Sequence, residues 1–331
     1  MVTSQTQTFR QVGIREDLSD EIYDISPMEV PFFTSLRKGA AAKNRFIEWQ
    51  TDALASASGT NAAVEGADYT ALTFTPTVRP RNYTQIWVKG LNVSGTANAV
   101  TTAGREEELA YQIAKRGKEL KRDMETNLTG NYASSAGTSA AARKCAGFEA
   151  WITTNSIYGG TAGATDGANG GFTAAGTVTA ATDGSSSNLR TLTETILKSA
   201  IKLCWVAGGQ PSIVMVGPRN KQRISAFSGI TTKYSDFGNN PASPGSLAIV
   251  ASADLYLSDF GKLRVVPNRF SRERTALVID PDYWSIHYLR PFQVFQIAKT
   301  GDAEKREMLC EATLCAKNQA ASGKIADCVT T

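Results

Sequence analysis

His287 is the single histidine of this 331-residue chain, so any Ser-His-Asp or Cys-His relay would have to be built on it. It stands in WSIHYLR, on an expected strand, and no G-x-S-x-G elbow exists to receive it. The residues favour a packed structural histidine. Cys145, Cys204, Cys310, Cys315 and Cys328 are odd in number and form no C-x-x-C pair. They read as small reduced core residues rather than as a disulfide framework or a zinc site. One histidine and scattered thiols do not make the usual transition-metal centres. The acidic clusters Glu106 to Glu108 and Glu16-Asp17 fall on a helix start and on an N-terminal arm, where carboxylates are expected without catalysis. From Tyr158 to Asn188 the composition collapses to Gly, Ala, Thr, Ser and Asp. That run holds neither a G-x-x-x-x-G-K-[ST] nor a G-x-G-x-x-G phosphate cradle, and reads as a low-complexity surface loop that cannot bury enough to order itself. Sequence therefore assigns no catalytic, cofactor-binding or metal-ligating residue.

What the chain does offer is material for assembly. Its composition, 42% apolar and 20% charged, suits a globular protein with room for two domains. No apolar run approaches the roughly 18 residues of a membrane span. The N-terminus has neither a basic start nor an apolar h-region, so folding in a cytoplasm is expected. A net charge of +4 is too weak to argue nucleic-acid binding from bulk electrostatics.

The most regular stretch is Thr101 to Leu128. Leu109, Ile113, Leu120, Met124 and Leu128 recur at helical spacing and predict one long amphipathic helix with a narrow buried stripe. Lys115, Arg116, Lys118, Lys121 and Arg122 crowd its second half, either as a solvated face or as a contact with other copies of the chain. Before it, residues 1 to about 40 look like an arm whose apolar knots, Ile22-Tyr23 and Pro31-Phe32-Phe33, need another surface to bury on. NRFIEWQTD and TALTFTPTVRPRNYTQIWVKGLNVSG read as an extended hairpin carrying Trp49, Tyr83 and Trp87 with little local chain to cover them. An isolated ribbon of this kind is marginal in water. After the glycine-rich run, Thr191-Leu-Thr-Glu194 reads as a capping box opening a second helix. The strand SIVMV follows, then a short helix from Pro218, a Gly/Pro/Asn loop over 235–247, two strands around Asp259 to Gly261, another strand in TALVIDPDYWSIHYL, and a long final strand in EKREMLCEATLCAKNQ. The fold class is α+β.

The strings REDLSDEIYDISPMEVPFF, FIEWQTDAL, AVEGADY, NYTQIWVKGLNVSGT and LRPFQVFQIAKTGDAEKREMLCEATL, in this order, resemble the major capsid proteins of tailed bacteriophages, the Johnson fold of Hong Kong ninety-seven type. The resemblance covers nearly the whole chain except the 158–188 run. It implies an N-terminal arm over 1–43, an E-loop over 44–95 reaching across the adjacent subunit, a peripheral domain from 96–190 and 288–317 with the spine helix at 101–128, and an axial domain from 191–287 and 318–331. It also implies hexamers and pentamers of the chain itself, closed into an icosahedral-type shell around double-stranded DNA. Scaffold, portal and decoration proteins would be separate chains, and assembly would take place in a bacterial cytoplasm. Expected inter-subunit contacts are Phe32, Phe33, Trp49, Phe74, Arg79, Arg81, Tyr83, Trp87, Lys115, Lys118 and Arg122. Some members weld subunits through an E-loop lysine, but 52–82 contains none. A cellular nanocompartment shell of encapsulin type shares this fold and stands as the alternative; a cytoplasmic enzyme with an unrecognised site is the third reading.

Overall fold

A computed structural model of the chain describes residues 26–66, 68, 76–105, 107–159, 167–227 and 255–329. In chain order, helix α1 (Pro31–Ser35) leads into strands β1 (Arg37–Lys38), β2 (Phe46–Glu48), β3 (Arg81–Tyr83) and β4 (Gln85–Ser94). Helices α2 (Gly95–Ala99), α3 (Glu108–Thr129) and α4 (Phe148–Trp151) follow, then the short strands β5 (Ser156–Ile157), β6 (Gly171–Phe172) and β7 (Val178–Thr179). The chain continues through α5 (Glu194–Val206), β8 (Ile213–Val216), α6 (Pro218–Ser225), β9 (Leu255–Ser258), β10 (Gly261–Pro267) and β11 (Ala276–Ile279). It ends with β12 (Trp284–Ile297), β13 (Ala303–Ala316) and β14 (Gly323–Ile325).

Two sheets carry the architecture. The first has the order β1-β12-β13-β4 and the second β5-β14-β11-β8-β10-β9. In the first, the 14-residue strand β13 pairs antiparallel with β12 on one side and β4 on the other, Cys310 lying opposite Trp87. Pairing with β12 slips between Tyr288 and Gln293, where Pro291 has no N–H to give to a ladder. Helix α3 lays Leu120, Met124 and Leu128, all fully buried, onto a core with Met308, Cys310, Ala312, Leu314, Phe148 and Trp284. Helix α5 packs Leu197, Ala200, Ile201 and Cys204 on the second sheet against Val214, Val216 and Val265. Alternate residues of β8 split between the two cores, Ile213 and Met215 joining the first.

Several expectations change. The spine helix begins at Glu108 rather than Thr101, because Gly104 at φ +74° turns the chain back into a bridge between Thr102 and Arg105 and Glu107 is extended. Only Glu108 of the three acids lies in its first turn; Glu106 lies outside the described residues. The cap of α5 is Thr193, whose hydroxyl accepts from Ile196 N, two residues after the expected Thr191. One strand expected over TALVIDPDYWSIHYL is two, in different sheets. Pro281 opens a 3-10 turn between them, and the Asp280 carboxylate accepts from Asp282 N. Much of the glycine-rich run is ordered: β6 pairs with β7, and Val178 is buried in the first core with Phe172 against it. Ser134 and Val178 exchange hydrogen bonds at 2.7 and 2.8 Å, so a distant loop supplies the partner that local composition lacks. The second sheet also takes β5, ahead of residue 191. The loop expected at 235–247 lies outside the described residues.

Candidate assembly surfaces

The expected hairpin exists at its base. Phe46 pairs with Tyr83 and Glu48 with Arg81, and a bridge joins Thr51 to Val78. Its foot is fastened by buried polar groups. Asn82, fully buried, donates to Leu314 O at 2.7 Å and accepts from Ala146 N at 3.0 Å. Glu311, 2% exposed, accepts from Thr84 Oγ1 at 2.8 Å, Arg143 at 2.5 Å and Arg290 Nε at 2.8 Å. A buried carboxylate met by charged donors on several elements is costly to uncouple, so the foot of the hairpin is held firmly to the body. Beyond Thr51 the picture reverses. Every residue from Asp52 to Gly66 is exposed, Leu54 at 100% and Val64 at 80%.

The aromatic residues of the hairpin do not share that exposure, contrary to the sequence expectation. Trp87 and Tyr83 are each 6% exposed within the single chain: Trp87 enters the first core, and the Tyr83 ring packs edge-on to Phe46 at 5.9 Å. Trp49 is half-buried, 5.4 Å from Trp151. Arg81 stacks near Phe46 and Tyr83 and donates to Gly176 O at 2.7 Å. Arg79 stays exposed, its Nε 3.6 Å from Glu48. Phe74 lies outside the described residues. The reason is nonlocal: the ribbon continues into β4, which β13 and α3 cover from more than 200 residues and some 20 residues away in sequence, respectively.

The arm, too, finds its surface at home. Phe32 is fully buried, edge-on to Phe148 at 5.6 Å, and Phe33 packs near Phe292. Pro31 starts α1, since its missing N–H is one the first turn does not use. Two of the free amides of that turn, Phe32 N and Phe33 N, donate to the Glu125 carboxylate of α3 at 2.8 and 2.7 Å, and Asn268 Nδ2 donates to it at 2.6 Å. Burial pushes the Glu125 carboxyl above its ordinary range, against the pull of these three bonds. One side chain thus ties together the arm, the spine helix and the turn after β10. Sequence reasoning missed it, because an acid next to Met124 on a highly charged helix carries no distinguishing signal. Ile22 and Tyr23 lie outside the described residues.

The remaining charges of α3 sort by face. Glu108 meets Arg105, Glu119 meets Arg116 and Asp123 meets Lys89, each at 2.6 Å. Lys115, Lys118 and Lys121 are exposed, and Arg122 lies over the Phe270 ring at 5.3 Å.

Among the described residues, none of the groups with chemical potential gathers into a reactive site. His287 is half-buried and hydrogen-bonded to Ala40 O at 2.8 Å and Ser285 Oγ at 3.0 Å, with Gly39 so close that a Cβ there would collide with the ring. Burial lowers its pKa. All five cysteines are buried and unpaired, and burial raises their thiols, those of Cys204, Cys310 and Cys328 to about 12. Glu149, Arg272, Thr275 and Lys324 form a buried knot, with Arg272 2.9 Å and Thr275 2.6 Å from the carboxylate. Lys324 Nζ donates to Glu149 O at 3.0 Å. Among the described residues no group of His, Cys, Asp and Glu is placed to hold a metal, and no helix is long and apolar enough to cross a membrane.

A family model described as SU10 major capsid protein matches residues 1–329. The major capsid protein of Escherichia phage Phieco32 is 41% identical over 126 residues, 38% of this chain and 36% of that protein; the match thus spans only about a third of that relative's length. The capsid asymmetric unit of Cyanophage A-1(L) superimposes with a TM-score of 0.65 at 13% identity, over 95% of this chain and 97% of that one. An encapsulin complex, SrpI of Synechococcus elongatus PCC 7942, gives a TM-score of 0.55 at 10% identity, over 100% and 98%. At such identities the likeness is one of fold, and the fold is the mixed helix-and-sheet Johnson fold of phage capsids.

Proposed function

The chain belongs to the SU10 major capsid protein family, and from that premise we propose that it closes as hexamers and pentamers into an icosahedral-type shell around double-stranded DNA. It is a structural protein of the virion and not an enzyme. The observation that carries the proposal is the outer hairpin: Asp52 to Gly66 are all exposed within their own chain, yet rise from a base locked by Asn82 and Glu311. A ribbon so held gains burial by lying on a neighbour. Leu54 and Val64 would each contribute roughly 1.5–3 kcal/mol on full burial, and Phe74 and Arg79 belong to the same contact. The division into arm 1–43, E-loop 44–95, peripheral domain 96–190 and 288–317, and axial domain 191–287 and 318–331 goes with this reading. So do heterologous contacts that repeat around a ring and close it. Scaffold, portal and decoration chains, and assembly in a bacterial cytoplasm, complete it. Replacing 53–77 by a short glycine-serine turn tests the proposal: folded subunits that no longer form particles in electron micrographs support it, and normal particles overturn it.

The encapsulin likeness in fold supports a second reading, a nanocompartment packed with protein cargo. Nuclease-protected DNA extracted from native particles favours the first; a co-purifying protein cargo without nucleic acid favours the second.

A further inference from the structure

The exposed ridge of α3 has a charge pattern that its own helix does not explain. Lys118 and Arg122 stand at i and i+4, and Lys115, Lys118 and Lys121 at successive i, i+3 steps, like-charge spacings that destabilise a helix. Complementing the macrodipole is not the reason, because that effect belongs to the last turn, where α3 has no basic residue. Pairing along the helix is not the reason either. Glu119, the i+4 partner of Lys115, is taken by Arg116, and Glu125, the i+4 partner of Lys121, is turned inward to the amides of α1. Among the described residues Lys115, Lys118 and Lys121 make no ion pair. The ridge therefore calls for an anionic occupant.

The arm is anchored at the end of that same ridge. Lys118, Lys121 and Glu125 are spaced three and four apart, which places them on one helix face, and α1 docks on Glu125 through Phe32 and Phe33. The chain just ahead of α1 reads Glu16-Asp17-Leu18-Ser19-Asp20-Glu21-Ile22-Tyr23-Asp24, five acids in nine residues, outside the described residues. Asp24 lies eight residue steps before Phe32, enough to span about 25 Å when extended. Lys115 to Lys121 covers roughly 9 Å of helix. We propose that the acidic segment Glu16–Asp24 of the chain's own arm covers the Lys115-Lys118-Lys121-Arg122 ridge of the spine helix. Anchoring at Glu125 raises the local concentration of the segment over the ridge, so contacts that are individually weak act together. Lys115, Lys118 and Arg122, expected from sequence to meet neighbouring subunits, are then occupied within one chain. The contact does not depend on shell formation.

The test is a charge swap on the full chain, read by amide hydrogen exchange of residues 16–24 in unassembled subunits at low salt. Exchange should rise on the order of tenfold in Lys118→Glu/Lys121→Glu and in Asp20→Lys/Glu21→Lys, and return toward the wild-type rate when the four changes are combined. About 0.5 M salt should erase the protection in the wild type. Unchanged exchange of the β13 amides verifies that each variant is folded. Equal rates in all four proteins overturn the proposal. Protection restored by mixing the two singly reversed chains, in which complementary charges meet only between different molecules, overturns it in favour of a neighbour's arm. If added double-stranded DNA shields the ridge lysines from acetylation while reversal of the arm changes nothing, the occupant is nucleic-acid phosphate and the proposal falls. Particle formation, scored separately by micrograph, reports on the shell reading and not on this contact.

Discussion

Replacing Glu125 by glutamine keeps the shape of the side chain while removing its charge and one of its two acceptor oxygens. Those oxygens meet three donors, Phe32 N, Phe33 N and Asn268 Nδ2, so the new amide must turn its NH2 toward at least one N–H. A buried donor left without an acceptor costs about 1–3 kcal/mol, and bonds to a charged acceptor, worth about 1.5–3 kcal/mol, fall toward the neutral value. Against this, glutamine escapes the burial that pushes the carboxyl above its ordinary range. The expected balance is a loss of about 2 kcal/mol, felt first at the arm, where a change of that size raises the open population roughly 30-fold. Hydrogen exchange at the Phe32 and Phe33 amides should accelerate accordingly, while Leu120 to Met124 change far less. The pH sign follows from the raised carboxyl: the docked state holds the proton more tightly than the free arm does. Docking therefore weakens in the wild type as pH rises through the window above 4.5, and the glutamine variant loses that dependence. Unaltered exchange at Phe32 and Phe33 would refute the reasoning, and acceleration spread evenly over β13 would show Glu125 to be a general stabiliser rather than the anchor of the arm.

Three further outcomes are expected. Leu54→Asp with Val64→Asp, at exposed positions, should leave subunit stability within about 0.5 kcal/mol yet reduce particle yield; yields matching the wild type would mean the hairpin tip touches nothing. Lys324, pushed down to about 8 from 10.5 by burial, binds its proton less tightly folded than unfolded. Stability in urea should therefore rise by up to roughly 3 kcal/mol as pH climbs from 8 toward 10.5, and Lys324→Met should flatten that slope; an equal slope in the variant assigns the effect to other groups. Native particles boiled without reductant should give one band near 35.4 kDa, since the five thiols are buried and 52–82 holds no lysine. A ladder that reductant collapses would implicate the cysteines, and one that survives reductant would point to a covalent weld elsewhere.

Local periodicity was enough to reveal the amphipathic stripe Leu109 to Leu128, the strands around Val214 and Leu314, the helix opening at Pro218 and the ribbon with a foot at Phe46 and Tyr83. Helical and strand spacing, capping chemistry and proline's missing donor are properties of neighbouring residues, and they survive folding. The absence of a legible active site was also a statement about residue types, since one histidine and unpaired thiols offer little to assemble. Tertiary structure decided which aromatic residues are covered. Trp87, Tyr83 and Phe32 looked orphaned because their covers, β13, α3 and Phe148, lie tens to hundreds of residues away, and composition says nothing about which distant surface will arrive. The same holds for Val178, drawn into the core from a run too poor in apolar residues to order itself, and for the start of the spine helix, where a glycine turn at 104 overrode good helix formers. Glu125, Asn82 and Glu311 were invisible for a related reason. A polar side chain becomes a fastening only when folding removes its water and brings donors from separate elements to hydrogen-bond distance, and that geometry exists nowhere along the chain until the two sheets and the spine helix have packed.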